Sequence, residues 1–150
     1  MQQEMMLREA QVTYRSPLPP EELTIIRSSD NVAKFLVGLL EDKCVEHFVV
    51  IGMNARNAII GWQTVAIGTE TACSISPSSV FRFLLLSSSV SFIIAHNHPS
   101  GGITPSTDDL VLTKRLSEGA KLLGIKLLDH VIVGGNKFFS MDEKGILQSL

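Results

Sequence analysis

The chain has 150 residues, of which 45% are apolar, and its 13 basic and 15 acidic side chains leave a formal net charge of −2. This length and composition are typical of one globular domain and exclude an intrinsically disordered chain. The near-neutral charge gives no support for nucleic-acid binding, although it leaves a local basic patch open. No apolar run reaches the roughly 18–20 residues of a membrane-spanning helix.

The two cysteines, Cys44 and Cys73, stand far apart and form no Cys-x-x-Cys pair. Neither a zinc finger nor a disulfide framework is therefore expected, and buried free thiols are typical of the reducing cytoplasm. The N-terminus has acidic residues early and lacks the apolar segment of a signal peptide. We therefore predict a cytoplasmic protein with no membrane partner.

The first 28 residues are mixed and polar with prolines in the middle, which is typical of an arm or linker. A few extended residues at 23–26 are expected to pack on the rest of the chain. Residues 1–28 are thus predicted to be an N-terminal arm, and residues 29–150 to form the folded domain.

Hydrophobic periodicity divides this domain into alternating helices and strands. The helices are marked by capping residues such as Ser29 and Ser76-Pro77, and the strands by apolar runs between turn residues. The predicted helices are 29–42, 77–87 and 107–123. The predicted strands are 45–53, 58–67, 72–75, 90–95, 125–133 and 137–140, and 141–150 is a loop or a final helical turn. This order predicts an α/β domain with a mixed central sheet flanked by helices.

The most informative stretch begins where the apolar run 90–95 leads into His96-Asn97-His98 and a turn of proline and glycines. In a strand, residues i and i+2 point to the same face, so the two imidazoles can aim at one point. Asp109 follows in the predicted first turn of the next helix. Two imidazoles and one carboxylate are the three ligands of a catalytic zinc site, which keeps a fourth position for water.

Helix capping is the competing explanation for part of this pattern. Ser106 and Asp109 have the spacing of a capping box, although Asp replaces the usual Glu or Gln, and an acidic first turn suits the helix dipole. Capping explains these two residues about as well as a metal site does. It does not explain two histidines beside a glycine-rich turn, so we favour the metal site.

The full pattern is His96-x-His98, seven residues, Ser106, two residues, Asp109. It resembles the zinc motif of JAB/MPN-type metallopeptidases, known as the JAMM motif. The strings His-Asn-His-Pro-Ser-Gly and Leu122–Val133 are similar to the RadC branch of that superfamily. The resemblance runs from about residue 30 to the C-terminus. It implies a cytidine-deaminase-like α-β-α sandwich. Many members also have an additional N-terminal helical domain, which we do not expect within residues 1–28.

The resemblance implies specific roles for the motif residues. His96, His98 and Asp109 match the family's ligands to one Zn²⁺ ion. Ser106 matches a serine whose hydroxyl stabilises the oxyanion of a tetrahedral intermediate, and it can cap the helix in the resting state.

Glu46 matches the family's upstream glutamate, the general base that takes a proton from the zinc-bound water. Taken alone, a glutamate at the start of a predicted strand would be an exposed edge residue. Glu41 and Asp42, which lie nearby in the sequence, are the rival candidates. With the family pattern, we predict that Glu46 is catalytic.

Three further positions bear on the site. Asp129-His130 matches the family's Asp-His pair, and we predict a buried hydrogen-bonded pair or a support for the ligands. Asn97 faces the other side of the strand and is predicted to be structural. Pro77-Ser78-Ser79 stands where family members commonly have Pro-Arg-Glu, so a substrate or partner contact at that helix start would be altered.

The predicted function is a zinc-dependent hydrolase, a peptidase or isopeptidase that acts on a peptide or isopeptide-linked protein. An alternative is a RadC-type accessory protein of DNA repair or recombination that acts by binding. A third hypothesis is a scaffold that keeps zinc only as structure. The sequence does not indicate the oligomeric state.

Overall fold

The computed structural model describes residues 25–68 and 75–150. Within these residues, three α-helices and five strands alternate, and a short 3₁₀ helix, Leu147–Ser149, follows them. The helices are α1 (Ser29–Leu40), α2 (Pro77–Leu86) and α3 (Thr107–Leu123), and the strands are β1 (His47–Met53), β2 (Ile59–Ile67), β3 (Ser91–Asn97), β4 (Lys126–Gly134) and β5 (Lys137–Ser140).

These elements lie within two residues of their predicted positions, because caps, prolines and apolar periodicity are local signals. β3 extends beyond the predicted run and includes His96 and Asn97. The strand predicted at 72–75 falls mainly on residues 72–74, which lie outside the described ranges, as do residues 1–24. The boundary between arm and domain therefore stays a prediction.

Two smaller expectations need correction. The N-cap of α1 is Ser28, whose side chain accepts from the Asn31 N–H, and not the run that starts at Ser29. Cys44 is exposed and not buried, because it lies in the connection between α1 and β1. Among the described residues, none of the helices has the length and hydropathy needed to cross a bilayer.

The five strands form one sheet in the order β2-β1-β3-β4-β5. The neighbours β3 and β4 are parallel, and the other neighbouring strands are antiparallel. The parallel pair follows from α3, which carries the chain back across the sheet between the two strands. The carboxyl ends of β3 and β4 therefore lie side by side at one edge of the sheet.

Both faces of the sheet are covered by helices, which confirms the predicted α-β-α sandwich with a mixed sheet. α2 and α3 pack on one face, and α1 packs on the other. The α2/α3 core contains Phe48, Val80, Leu84, Phe92, Ile94, Leu112 and Leu116. The α1 core contains Val32, Leu36, Leu40, Val49, Ile51, Ile93, Ala95, Val131 and Val133. The alternation along β1 and β3 divides their side chains between these two cores.

Candidate metal centre

The three predicted ligands meet at the carboxyl end of β3. His96 is the penultimate residue of that strand, His98 directly follows it, and Asp109 lies in the first turn of α3. One candidate ligand atom from each residue lies within 4.8 Å of the others. His96 Nε2 is 3.0 Å from His98 Nε2 and 3.3 Å from Asp109 Oδ1. The structure thus brings together the residues that the i, i+2 spacing predicted.

The three ligands differ in exposure. The side chains of His96 and Asp109 are 1% and 4% exposed, whereas that of His98 is 22% exposed. The cluster is therefore closed on the side of the sheet and of α3, and it is open on the side of His98.

The loop after β3 sets the orientation of the His98 ring. His98 Nδ1 lies 3.0 Å from the Gly102 carbonyl oxygen. A carbonyl oxygen can only accept, so Nδ1 carries the proton and Nε2 keeps a lone pair. That lone pair is on the nitrogen that faces His96 and Asp109, as metal coordination requires.

Gly134 at the end of β4 presses against the same loop. A Cβ atom added at Gly134 would stand 2.5 Å from the Gly101 carbonyl oxygen and 2.8 Å from that of Gly102. Only glycine permits this approach, because the obstructing atoms belong to the backbone. The end of β4 thus supports the loop that holds His98.

Asp109 serves the helix cap and the cluster at the same time. Its Oδ2 accepts from the Ser106 backbone N–H at 2.7 Å and from the Ser106 hydroxyl at 2.8 Å, and its own N–H donates to Ser106 Oγ. Burial acts to raise the pKa of this carboxyl, but the contacts with His96 and Ser106 outweigh it and hold the pKa well below its usual range. Capping and metal binding are therefore not alternatives, because one ionised carboxylate can do both.

The donor set suits a divalent transition metal. Imidazole nitrogens and one carboxylate are a common combination for zinc, and an ionised carboxylate facing a nitrogen lone pair calls for a cation between them. The chemistry of His96, His98 and Asp109 thus fits a metal ion.

Glu46 directly precedes β1 and does not belong to the strand as predicted. It is half-buried, and the charges of His96, His98 and Asp109 all act on its carboxyl group. Burial raises its pKa; the two histidines oppose this rise, and Asp109 adds to it. The rivals Glu41 and Asp42 are exposed at the end of α1.

Asn97 holds the segment that carries Glu46. Its side-chain oxygen accepts from the His47 N–H at 2.7 Å, and its amide N–H donates to the Val45 carbonyl at 3.0 Å and to that of Lys43 at 3.3 Å. These contacts bracket Glu46 on both sides. The predicted structural role of Asn97 thus takes a specific form, which the sequence did not reveal because the partners are about 50 residues away.

The side chains of Asp129 and His130 contact different side chains. Asp129 accepts from the Ser140 hydroxyl at 2.6 Å and from the Asp142 N–H at 2.9 Å. His130 instead contacts His96, with 2.9 Å between His130 Nε2 and His96 Nδ1. Both residues are thus buried and hydrogen-bonded, and the contact of His130 with His96 is the predicted support of a ligand.

Thr113 is a further residue at the site that belongs to none of the sequence motifs. Its hydroxyl oxygen lies 2.6 Å from His130 Nδ1 and 2.5 Å from the backbone carbonyl of Asp109. The available signal was its position four residues after Asp109, which places both on one face of α3.

Comparisons with known proteins agree with the motif. A family model described as the RadC-like JAB domain matches residues 26–146. A UPF0758 protein of Desulforamulus reducens is 40% identical over 130 residues, which are 87% of this chain and 57% of that protein. A UPF0758 protein of Bacillus licheniformis is 45% identical over 82% of this chain and 55% of its own length. A UPF0758 protein of Listeria welshimeri is 43% identical over 83% of this chain and 56% of its own length. The chain thus spans little more than half the length of these curated relatives.

Proposed function

Because the chain belongs to the RadC-like JAB domain family, we propose that it is a zinc-dependent hydrolase that cleaves a peptide or isopeptide bond. The observation that carries this proposal is the half-buried Glu46 carboxyl beside a cluster of His96, His98 and Asp109 that could hold a metal ion. A purely structural zinc site needs no such base, which argues against the scaffold hypothesis.

His96, His98 and Asp109 would hold the zinc ion. When bound, zinc supplies Lewis acidity and lowers the pKa of a water ligand to about 7. The open side of the cluster at His98 leaves room for water and substrate.

Glu46 would act as the proton acceptor. Burial raises the pKa of its carboxyl, which makes it a stronger base than an exposed glutamate. It would accept a proton from the attacking water and return that proton to the leaving amine. Asn97 would keep the carboxyl in place through its bonds to the residues on both sides of Glu46.

Ser106 would stabilise the developing oxyanion. Its hydroxyl now donates to Asp109 Oδ2, and a hydroxyl has a single proton. The hydroxyl must therefore turn away from the carboxylate before it can donate to a substrate oxygen. The backbone N–H of Ser106 continues to hold Asp109 during that change.

The substrate class is part of the proposal. Any amide that fits the open side is chemically suitable, and a peptide or isopeptide-linked protein is the class that the JAB relationship favours. The alternative of a DNA-repair accessory finds no support in the net charge of −2. Binding to DNA with a steep salt dependence would favour that alternative.

Elemental analysis of protein purified without added metal is the first test, alongside Glu46→Gln and His98→Ala. We expect about one zinc per chain in the wild type and in Glu46→Gln, and loss of zinc in His98→Ala. With a panel of peptide and isopeptide substrates, Glu46→Gln should lose hydrolysis, and Glu41→Gln should keep it as the matched control.

Two outcomes contradict the proposal. Undiminished turnover in Glu46→Gln would remove the general base. Absence of metal from the wild type even after reconstitution with zinc would remove the catalytic centre and leave the motif as a cap and a turn.

A further inference from the structure

We propose that Thr113 and His130 are positioning residues that fix the protonation of His96 and tie this ligand to Asp109. The inference deepens the proposed function, since it assumes that His96 and Asp109 hold a metal. The two residues are buried and form a relay of hydrogen bonds. The relay links the Asp109 carbonyl to Thr113, Thr113 to His130, and His130 to His96.

Thr113 determines which atom donates in each hydrogen bond of the relay. Its hydroxyl oxygen lies 2.5 Å from the Asp109 carbonyl oxygen, which can only accept. The single hydroxyl proton therefore points to that carbonyl. Towards His130 the Thr113 oxygen presents only lone pairs, so His130 Nδ1, 2.6 Å away, must be the donor.

The protonation of His130 then determines which ring nitrogen of His96 carries a proton. Its ring is fully buried, and a neutral imidazole carries one N–H, which is already committed to Thr113. His130 Nε2 is therefore an acceptor, and His96 Nδ1 donates to it across 2.9 Å. His96 Nε2, which faces His98 and Asp109, is then the ring nitrogen left to meet a cation, either a metal ion or, without metal, a proton.

If the donor and acceptor roles in the relay were reversed, His96 could not bind the metal through Nε2. If Thr113 donated to His130, His130 Nε2 would carry the proton and donate to His96 Nδ1. His96 Nε2–H would then point into the cluster and block coordination. The bond from Thr113 to the Asp109 carbonyl selects between the two directions, so one ligand residue sets the protonation of another.

A bulge in β4 aims His130 at His96. Phe92 pairs with Leu127, but the next residue, Ile93, pairs with Asp129, so Leu128 is an extra residue in β4. Leu127 packs in the α2/α3 core and Leu128 against the α1 core. Regular alternation after Leu128 would turn His130 towards α1, and the extra residue returns it to the face of His96.

Phe48 shields the relay from water. Its ring stacks on His96 with a centroid distance of 6.1 Å and meets His130 edge-on at 5.9 Å. An aromatic wall leaves His96 Nδ1 without a competing water, so the proton position depends on His130.

The test compares Thr113→Val, which removes the hydroxyl at nearly constant shape, with Thr113→Ser, which keeps it. Zinc affinity is measured by competition with a chromophoric chelator. We expect Thr113→Val to bind zinc about tenfold to a hundredfold more weakly, the range for loss of a ligand's hydrogen-bond support. Thr113→Ser should stay near wild-type affinity, and so should the control Asp129→Asn, which alters the neighbouring buried residue outside the relay.

A second measurement does not depend on metal. Nitrogen-15 NMR of the metal-free protein reads which ring nitrogen of His96 carries the proton. We expect Nδ1–H in the wild type and in Thr113→Ser, and a mixture of both forms in Thr113→Val. A wild type without zinc affinity but with this NMR pattern would contradict the hydrolase and support the relay.

The relay is overturned by either of two results. One is a wild-type His96 whose Nδ1 carries no proton. The other is a folded Thr113→Val protein whose zinc affinity and His96 protonation match those of the wild type.

Discussion

Asp129 is 5% exposed, and burial raises the pKa of its carboxyl group to about 6, although hydrogen bonds from Ser140 and Asp142 act to lower it. The folded pKa thus lies above the unfolded value of about 4, so the folded state favours the protonated form. The stability that the protonated Asp129 contributes to the folded state is fully present below about pH 4, and it is lost as the pH rises through about 6. Two pKa units correspond to about 3 kcal/mol.

We therefore predict that Asp129→Asn removes part of the pH dependence of folding. Between about pH 4 and 7, the unfolding free energy of the wild type should fall by up to about 3 kcal/mol relative to that of the variant. Urea unfolding of both proteins in chelator at several pH values measures this difference, with Asp42→Asn as an exposed control. Parallel pH profiles for wild type and Asp129→Asn would contradict it. Asp109 does not affect this comparison, because its pKa is lowered and its contribution to folding stability is lost only as the pH falls below about 4.

At the scale of elements, two helices contain a glycine with different surroundings. Gly38 in α1 is exposed, and an added Cβ would meet nothing within 4 Å. Gly119 in α3 faces Phe81, whose ring carbon Cε2 would stand 2.8 Å from an added Cβ. We expect Gly38→Ala to stabilise the protein by about 0.5–1 kcal/mol, because alanine restricts the unfolded chain and suits a helix.

Gly119→Ala is the matched control, because the same gain is offset by displacement of the Phe81 ring. Chemical denaturation should therefore show a gain for Gly38→Ala and none for Gly119→Ala. Equal gains in both variants would show that the Phe81 contact does not constrain α3.

The elements also show what could be predicted from the sequence. The start of α3 at Thr107 and its end at Gly124 follow from local caps, and the His96/His98 spacing predicts the shared direction of two ligands. The place of β4 beside β3 and its bulge depend on pairing between residues about 35 positions apart, which leaves no local signal. The family resemblance predicted that His130 supports a ligand, but its specific contacts with His96 and Thr113 could not be derived for that reason. The proximity of Glu46 to the cluster followed only from the family resemblance.

At the scale of the whole molecule, metal binding should add to folding stability, because the ligands come from β3 and α3 and converge only in the folded chain. Zinc at a hundred times its Kd contributes about 2.7 kcal/mol. For a chain of this size we expect Tm to rise by about 5–10 °C. Thermal scans with zinc and with chelator measure the shift, and His98→Ala should show none. An equal Tm for the wild type in both conditions would contradict metal binding.

The division of the core by the sheet has a consequence for how this protein can change. His96, His130 and Thr113 meet on the α2/α3 side, whereas their strand neighbours Ala95 and Val131 belong to the α1 core. We therefore expect substitutions in helix α1 to change the thermal stability of the protein without moving His96, His98 or Asp109. Lineages and laboratory selections can use this helix to gain tolerance for mutations on the other face, where stability and chemistry depend on the same side chains.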